Sequence, residues 1–288
     1  MKPRRILVIV VTYNGMPWLE RCLGSVADTR SELLSAVDLY VVDNGSEDGS
    51  ADFVAERFPD ATLVRSGRNI GFGRANNLGI RHALDGGYDA VYLLNQDAWL
   101  LPGTLEELVR ISAAEPSYGI LSPIQLQGDG ERMDARFAER LRSARQPDGS
   151  EPVREVPFIM AAHWLVTRSC LEKVGMFSPI FTHNGEDDNY CDRARYHGFR
   201  IGVALSARAV HDRSDRPYDK EREMRLNCLS GNLARLCDIN RPLWERVLYV
   251  TLFTAVKSVK YRSLRPWRYW GRLMGRLPEI RQTRTGTR

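Results

Sequence analysis

Four short apolar runs punctuate the first hundred residues, and each stops abruptly in a polar loop. Ile6–Val11 ends at Thr12-Tyr13-Asn14-Gly15, and Val37–Val42 ends at Asp43-Asn44-Gly45-Ser46-Glu47-Asp48-Gly49-Ser50. Ala61–Val64 leads into Arg68-Asn69-Ile70-Gly71-Phe72-Gly73, and Asp89–Leu94 into Asn95-Gln96-Asp97. Between them lie stretches with helical spacing: Leu19, Cys22, Leu23 and Val26 after Pro17, a segment through Phe58 capped by Ser50 or Asp48, and Arg74–Leu84. Strands alternating with helices at this interval predict βαβ units and a mostly parallel, Rossmann-like sheet flanked by helices. Right-handed crossovers would carry all four strand ends to one edge, which is where open α/β sheets collect their ligands.

The stretch Val91–Ala98 shows what such an end could do. Val, Tyr and Leu suit a strand buried on both faces, and Asn95, Gln96 and Asp97 follow without transition. An Asx-type turn before the helix after Pro102 is one reading of Asp97. A ligand for a hard cation or a polar substrate is the other. One loop cannot decide between them, but four polar loops converging on one edge make a pocket.

Composition removes several function classes. With 43% hydrophobic and 27% charged residues the chain has enough apolar content to fold and no sign of wholesale disorder. Cys22, Cys170, Cys191, Cys228 and Cys237 are odd in number and never form a Cys-x-x-Cys pair, which argues against a disulfide framework or a cysteine zinc site and suits a reducing cytosol. The basic start and the Ile6–Val11 run stop too soon, at Thr12, for a secretory leader, and are expected to form the first strand. The net charge of +5 is unevenly spread: from Arg241 onward 12 Lys/Arg face 2 Glu, leaving the rest at −5. An acidic body with a basic tail is not a nucleic-acid binder; the tail is expected to meet something anionic.

Two nucleotide motifs are missing. Gly71-Phe72-Gly73 lacks the third glycine of a dinucleotide fingerprint, since Asn76 stands there, and it follows the third strand instead of the first. No Gly-x-x-x-x-Gly-Lys-Ser/Thr phosphate loop occurs, which disfavours P-loop NTPases as well.

Further along, a helix is expected over Thr104–Ala113 and a strand near Ile120. The run Gln127–Glu155, charged and rich in Gly and Pro, reads as a long, flexible excursion. Apolar character returns at Val156–Val166, which includes Trp164, and a short helix closes at Gly175. Thr182-His183-Asn184-Gly185-Glu186-Asp187-Asp188-Asn189-Tyr190 then opens a helix ending at Gly198. Acidic residues in a first turn can be simple dipole partners, yet three consecutive carboxylates exceed what a cap needs, and one could act as a general base. Ile201–Leu205 is expected as a last short strand, followed by His211-Asp212.

Taken in order, these segments resemble an inverting glycosyltransferase of family 2 with the GT-A fold, within its rhamnosyltransferase-like group. The residues that carry the resemblance are Val10–Asn14, Val42–Gly49, Asn69–Asn77, Leu93–Ala98, Val174–Phe177, Glu186–Arg195 and Val210-His211. It implies a nucleotide-diphosphate sugar donor, L-rhamnose from dTDP-rhamnose as the first expectation, and a glycan or lipid-linked acceptor hydroxyl. Thr12, Tyr13, Asn14, Asp43, Asn69, Arg74 and Asn95 match donor-nucleotide positions. Asp97 matches the last acid of the Asp-x-Asp motif that binds Mg²⁺ or Mn²⁺, and His211 a further metal or diphosphate contact. Asp187 matches the catalytic base, with Trp164, Glu186 and Asp188 on the acceptor side. Two positions depart from the pattern: Asn95 replaces the first motif aspartate, as it often does in the rhamnosyltransferase-like group, and Asp188-Asn189 stands where relatives carry an apolar residue and Asp. A non-catalytic nucleotide- or glycan-binding relative and a nucleotidyltransferase are the competing classes.

The division expected from this is a catalytic domain over residues 1–215 and a basic, helical C-terminal extension over residues 216–288. Within the extension, helices are expected over Tyr218–Ile239 and Leu243–Tyr261. The ten-residue run Val247–Val256 is too short for a span of about 20 residues. Lys257, Lys260, Arg262, Arg265, Trp267, Arg268, Tyr269, Trp270 and Arg272 follow, a mixture suited to an anionic membrane surface; a homodimer interface is the alternative. The expected location is the cytoplasm, peripheral on the inner face of the cell membrane.

Overall fold

The computed structural model describes residues 3–29, 31–143, 151–213 and 219–286. The first strands are β1 (Arg4–Thr12), β2 (Leu34–Asp43), β3 (Thr62–Arg65), β4 (Ala90–Asn95) and β5 (Ala98–Leu100). They are followed by β6 (Tyr118–Leu126), β7 (Val153–Glu155), β8 (His163–Thr167) and β9 (Arg200–His211). Among the described residues these nine form one sheet in the order β3-β2-β1-β4-β8-β6-β9-β5, with β7 added beside β9. The β3-β2-β1-β4 half is all parallel, whereas β8 runs antiparallel to both β4 and β6. The chain therefore winds as a βαβ half and then reverses.

Burial on both faces explains the continuous apolar runs. Leu7 and Ile9 face one layer, built from α3 (Phe72–Asp85) through Ala75, Ile80 and Ala83. Ile6, Val8 and Val10 face the other, built from α1 (Met16–Ala27) and α4 (Thr104–Ala114) through Leu19, Leu23, Leu105 and Leu108. Gly79 lets α3 lie close on the sheet, since a Cβ there would meet Ile9 at 2.8 Å.

Register sets the loops at one level. Val11 pairs with both Val42 and Asn95, so Thr12, Asp43 and Asn95 leave adjacent strands side by side. At the far edge Ala98 pairs with His211, which draws Asp97 alongside that histidine.

Several expectations change. Strand β9 runs through His211 and is not confined to Ile201–Leu205, because Ala207, Ala209 and Val210 continue its buried face. Gln127–Glu155 is not a plain excursion: it holds α5 (Ala135–Ser143) and β7, with residues 144–150 outside the described ones. Phe137 and Leu141 anchor α5 in the core, and Met133 packs against it; the 133/137/141 spacing is the helical signal that the charged composition hid. The helix expected over Tyr218–Ile239 comprises α8 (Lys220–Arg225), a π-helical turn at Leu226–Ser230 and α9 (Gly231–Cys237), Tyr218 lying outside the described residues. Helix α10 (Leu243–Tyr261) is as expected, followed by α11 (Arg265–Gly275) and α12 (Leu277–Gly286).

Candidate active site

The four strand-end loops are tied together by side-chain amides and hydroxyls. Asn14 N–H donates to Ser46 Oγ at 3.0 Å, and Glu47 N–H donates to Asn14 Oδ1 at 2.9 Å. Asn44 bridges onward, its amide donating to Asn69 Oδ1 at 3.1 Å and its Oδ1 accepting from Ile70 N–H at 2.8 Å. Gln96 closes the set: its Oε1 accepts from Thr12 Oγ1 and Tyr13 N–H, and its Nε2 donates to Tyr13 O. Ser50 does not cap the helix it begins (α2, Ser50–Arg57). Its N–H donates to Asp48 Oδ1 and its hydroxyl accepts from Gly15 N–H, joining the first loop to the second.

Thr12, Asp43 and Asn44 are buried by this network, whereas the Tyr13 ring stays 46% exposed at its rim. Asp43 accepts only long bonds from Ser46 N–H, at 3.3 and 3.4 Å, so its carboxylate retains capacity for a donor from outside. Arg74 points elsewhere: its guanidinium donates to Pro179 O at 2.8 Å and braces the start of α3.

At the end of β4, Asp97 Oδ1 lies 3.4 Å from His211 Nε2, and both residues are buried. Behind them is His163, wholly buried, with Nε2 donating to Val210 O at 2.9 Å and Nδ1 accepting from the Tyr92 hydroxyl at 2.8 Å. Burial pushes its pKa down to about 3, so a neutral ring stands edge-on to His211. The pair Asp97–His211 offers one carboxylate and one imidazole, a mixed set that Mn²⁺ accepts readily and Mg²⁺ less so. Among the described residues no group of three or more His, Cys, Asp or Glu side chains is arranged to hold a metal. Asp97 and His211 are the residues that would hold such an ion, and the remainder of its ligands would have to come from outside the chain.

Facing this edge is the first turn of α7 (Glu186–Tyr196), entered through the left-handed Gly185. Glu186 is 6% exposed, its Oε2 is buried without a hydrogen-bond partner, and burial followed by the Asp187 charge pushes its pKa up to about 7. Asp187 is half-buried and accepts from Asp188 N–H at 3.0 Å. Burial raises its pKa as well, against the backbone N–H groups of the helix start. Asp188 is the most exposed of the three, yet partial burial of its carboxyl and then the Asp187 charge push its pKa up to about 7. Asn189, 1% exposed, has both amide atoms buried without partners.

Between the two walls lies a cavity of about 1050 Å³. Asn95 and His211 line one side, Glu186 and Asp187 the other, with Phe72, Met160 and Ala161 between the polar groups. Trp164 must be corrected: it has no exposed surface and stacks on Phe177 in the core, because β8 is interior and alternate side chains point away from the cavity. Sequence reasoning missed the charged lining of the cavity, where Arg132, Arg136, Arg213 and Arg222 stand among Asp129, Asp134, Asp212 and Asp219, with Arg132 paired to Asp129 and Arg213 to Asp134. It also missed His163 and Gln96, which support the site without a motif of their own.

The profile of "Glycosyl transferase family 2" matches residues 7–175, more than half of the chain. The chain belongs to glycosyl transferase family 2. An N-acetylglucosaminyl-diphospho-decaprenol L-rhamnosyltransferase of Mycobacterium tuberculosis is 27% identical over 235 residues, covering 72% of this chain and 76% of the relative. A dTDP-rhamnosyl transferase, RfbF, of Shigella flexneri is 23% identical over 246 residues, covering 84% and 75%. In three dimensions the family 2 chain is similar to the mannosyltransferase PcManGT of Pyrobaculum calidifontis, solved with GDP-Man and Mn²⁺, at a TM-score of 0.62 and 20% identity over 99% of this chain and 84% of that one. TarS of S. aureus, solved with UDP, gives 0.58 at 19% identity over 88% and 70%. The fold is that of the GT-A enzymes, and this family 2 protein is a glycosyltransferase of the rhamnosyltransferase-like group.

Proposed function

We propose that this glycosyltransferase inverts configuration at the anomeric carbon, moving a sugar from a nucleoside diphosphate to a hydroxyl of a glycan or lipid-linked glycan. L-rhamnose from dTDP-rhamnose is the donor expected first, by analogy with relatives whose names specify L-rhamnosyl or dTDP-rhamnosyl transfer. The observation that carries the reading is a single cavity lined both by the strand-end groups Asn95 and His211 and by the carboxylates Glu186 and Asp187.

The division of labour follows from chemistry. Thr12, Tyr13, Asn14, Asp43 and Asn69 hold the nucleoside, Asp43 accepting from a ring N–H and Tyr13 offering an exposed face to the base. Asp97 and His211 would hold Mg²⁺ or Mn²⁺, which when bound stabilises negative charge on the departing diphosphate. Asp187 takes the acceptor hydroxyl's proton as that oxygen bonds to the anomeric carbon. The bond from that carbon to the diphosphate oxygen breaks, and the electron pair leaves with the diphosphate. One displacement needs one base, and a carboxylate whose pKa is raised toward neutrality is well matched to that task. Glu186 and Asp188 border the acceptor. Five unpaired, buried thiols fit a reducing compartment.

A thermal-shift panel of thymidine, uridine and guanosine diphosphates, each with and without Mn²⁺, tests the donor side, since a ligand of the native state raises stability by mass action. A Mn²⁺-dependent shift with one nucleotide that vanishes in Asp97→Asn is expected; no response to any nucleotide overturns the donor site. For the base, Asp187→Asn should lower turnover with the matched donor at least about a hundredfold while keeping its nucleotide shift. Unchanged turnover would remove Asp187 from that role.

A further inference from the structure

Helix α10 is apolar on two opposite faces. One face, with Val250, Thr254 and Tyr261, is buried against the neighbouring helices. At 100° per residue, Trp244, Leu248, Leu252, Val256 and Val259 fall on the other side, and they are 68%, 54%, 60%, 66% and 79% exposed. Leu264 and Trp267 extend the patch past the helix end, at 77% and 36%. Single exposed apolar residues need no explanation, but a contiguous row of this size does. No helix among the described residues is long and apolar enough to cross a membrane, so the row is a surface and not a span.

The charges around it select its occupant. Lys260, Arg262, Arg268, Arg272 and Arg281 are exposed, and none of them is in an ion pair among the described residues. Leu243, Trp244, Leu248 and Leu277 line a shallow groove of about 490 Å³ with Arg281 at its rim. A second copy docked face to face would bring two sets of these cations together and bury like charge against like. An anionic lipid surface supplies both an apolar layer for the row and phosphates for the cations.

We propose that the outer face of α10, with the cations of α11 and α12, is a docking surface for an anionic membrane. The surface is mechanically linked to the cavity. The Tyr261 hydroxyl at the end of α10 donates to Glu223 Oε1 at 3.0 Å, and Glu223 lines the cavity one turn of helix from Leu226. Docking would thus hold the cavity's α8 wall at the level of the lipid headgroups, where a lipid-linked acceptor presents its hydroxyl. The docking itself does not depend on which sugar or acceptor the enzyme uses.

The test is co-sedimentation of the full chain with phosphatidylcholine vesicles, with and without phosphatidylglycerol, at low and high salt. Binding to the anionic vesicles, weakened by salt, is expected. Leu252→Glu and Val259→Glu should each reduce partitioning about tenfold or more. Arg268→Glu combined with Arg272→Glu, which leaves the apolar row intact, should do the same at low salt. Circular dichroism melts keep a folding defect separate from a docking defect. Absence of binding to anionic vesicles overturns the proposal, as does binding that all these variants retain. A wild-type dimer in sedimentation velocity that Leu252→Glu dissociates would assign the face to self-association instead.

Discussion

Glu186 shows how one buried carboxylate can shape the pH behaviour of the whole protein. Its pKa rises from an ordinary 4.5 to about 7, chiefly through burial. The folded state therefore holds a proton that the unfolded chain releases, and stability falls as pH rises from about 4.5 to about 7. For a group this buried the loss approaches about 3 kcal/mol. Glu186→Gln removes that dependence, so its melting temperature should decline less than the wild type's across this interval. A slope remaining in the variant would come from Asp187, Asp188 and Asp192, all raised in the same direction. Identical slopes in the two proteins would mean that Glu186 is ionised in the fold. Activity has the opposite sign: a base must be deprotonated, so turnover falls as pH drops through the raised pKa of Asp187. Both carboxylates were legible from three acids at a helix start. Their environment was not, because burial depends on the packing of distant segments around α7.

At the scale of elements, the loop between β3 and α3 illustrates a constraint that only geometry reveals. Gly71 has a φ of 88°, and a Cβ there would lie 2.5 Å from Thr182 O. Gly71→Ala should therefore push the Asn69–Gly73 loop off the segment before α7 and weaken nucleoside diphosphate binding. Its stability cost should be about 1–3 kcal/mol. Gly87, with a φ of 71° and open space around it, is the control: Gly87→Ala should carry backbone strain without the nucleotide defect. Equal nucleotide affinity in both variants would show that the loop tolerates displacement. Helix α5 makes the second case. Phe137 is fully buried, and Phe137→Ala should cost about 3–5 kcal/mol in urea unfolding. A cost below about 1 kcal/mol would mean that α5 is only loosely attached to the core. The parallel strands were readable because each is buried on two faces and therefore continuously apolar. Helix α5 and β5 were not: α5 places only Phe137 and Leu141 in the core among its arginines, and β5 has only Ala98–Leu100.

On the scale of the whole molecule, the basic tail and the acidic body are chemically distinct but physically joined. Ile180 and Phe181, from the segment leading into α7, share one apolar cluster with Leu233, Leu236, Val250, Leu273 and Ile280. Polar contacts repeat the join: Arg276 donates to Ile180 O at 3.2 Å, and Asn240 Nδ2 to Asp192 O at 2.8 Å. The resemblance stops just before residue 215 and the basic charge begins at Arg241, and the packing is continuous across both positions. Arg222, Glu223 and Leu226, beyond residue 215, line the cavity itself. A chain ending at Asn240 would expose Ile180, Phe181, Leu233 and Leu236 to water, each buried apolar side chain being worth about 1.5–3 kcal/mol. Such a loss is comparable to the total stability of an ordinary domain, about 5–15 kcal/mol. The truncated protein should therefore aggregate, or melt well below the full chain and without cooperativity, as followed by circular dichroism and light scattering. A soluble truncation with an unchanged melting temperature would instead make the extension an autonomous appendage, and the cavity's α8 wall would have to stand without its support.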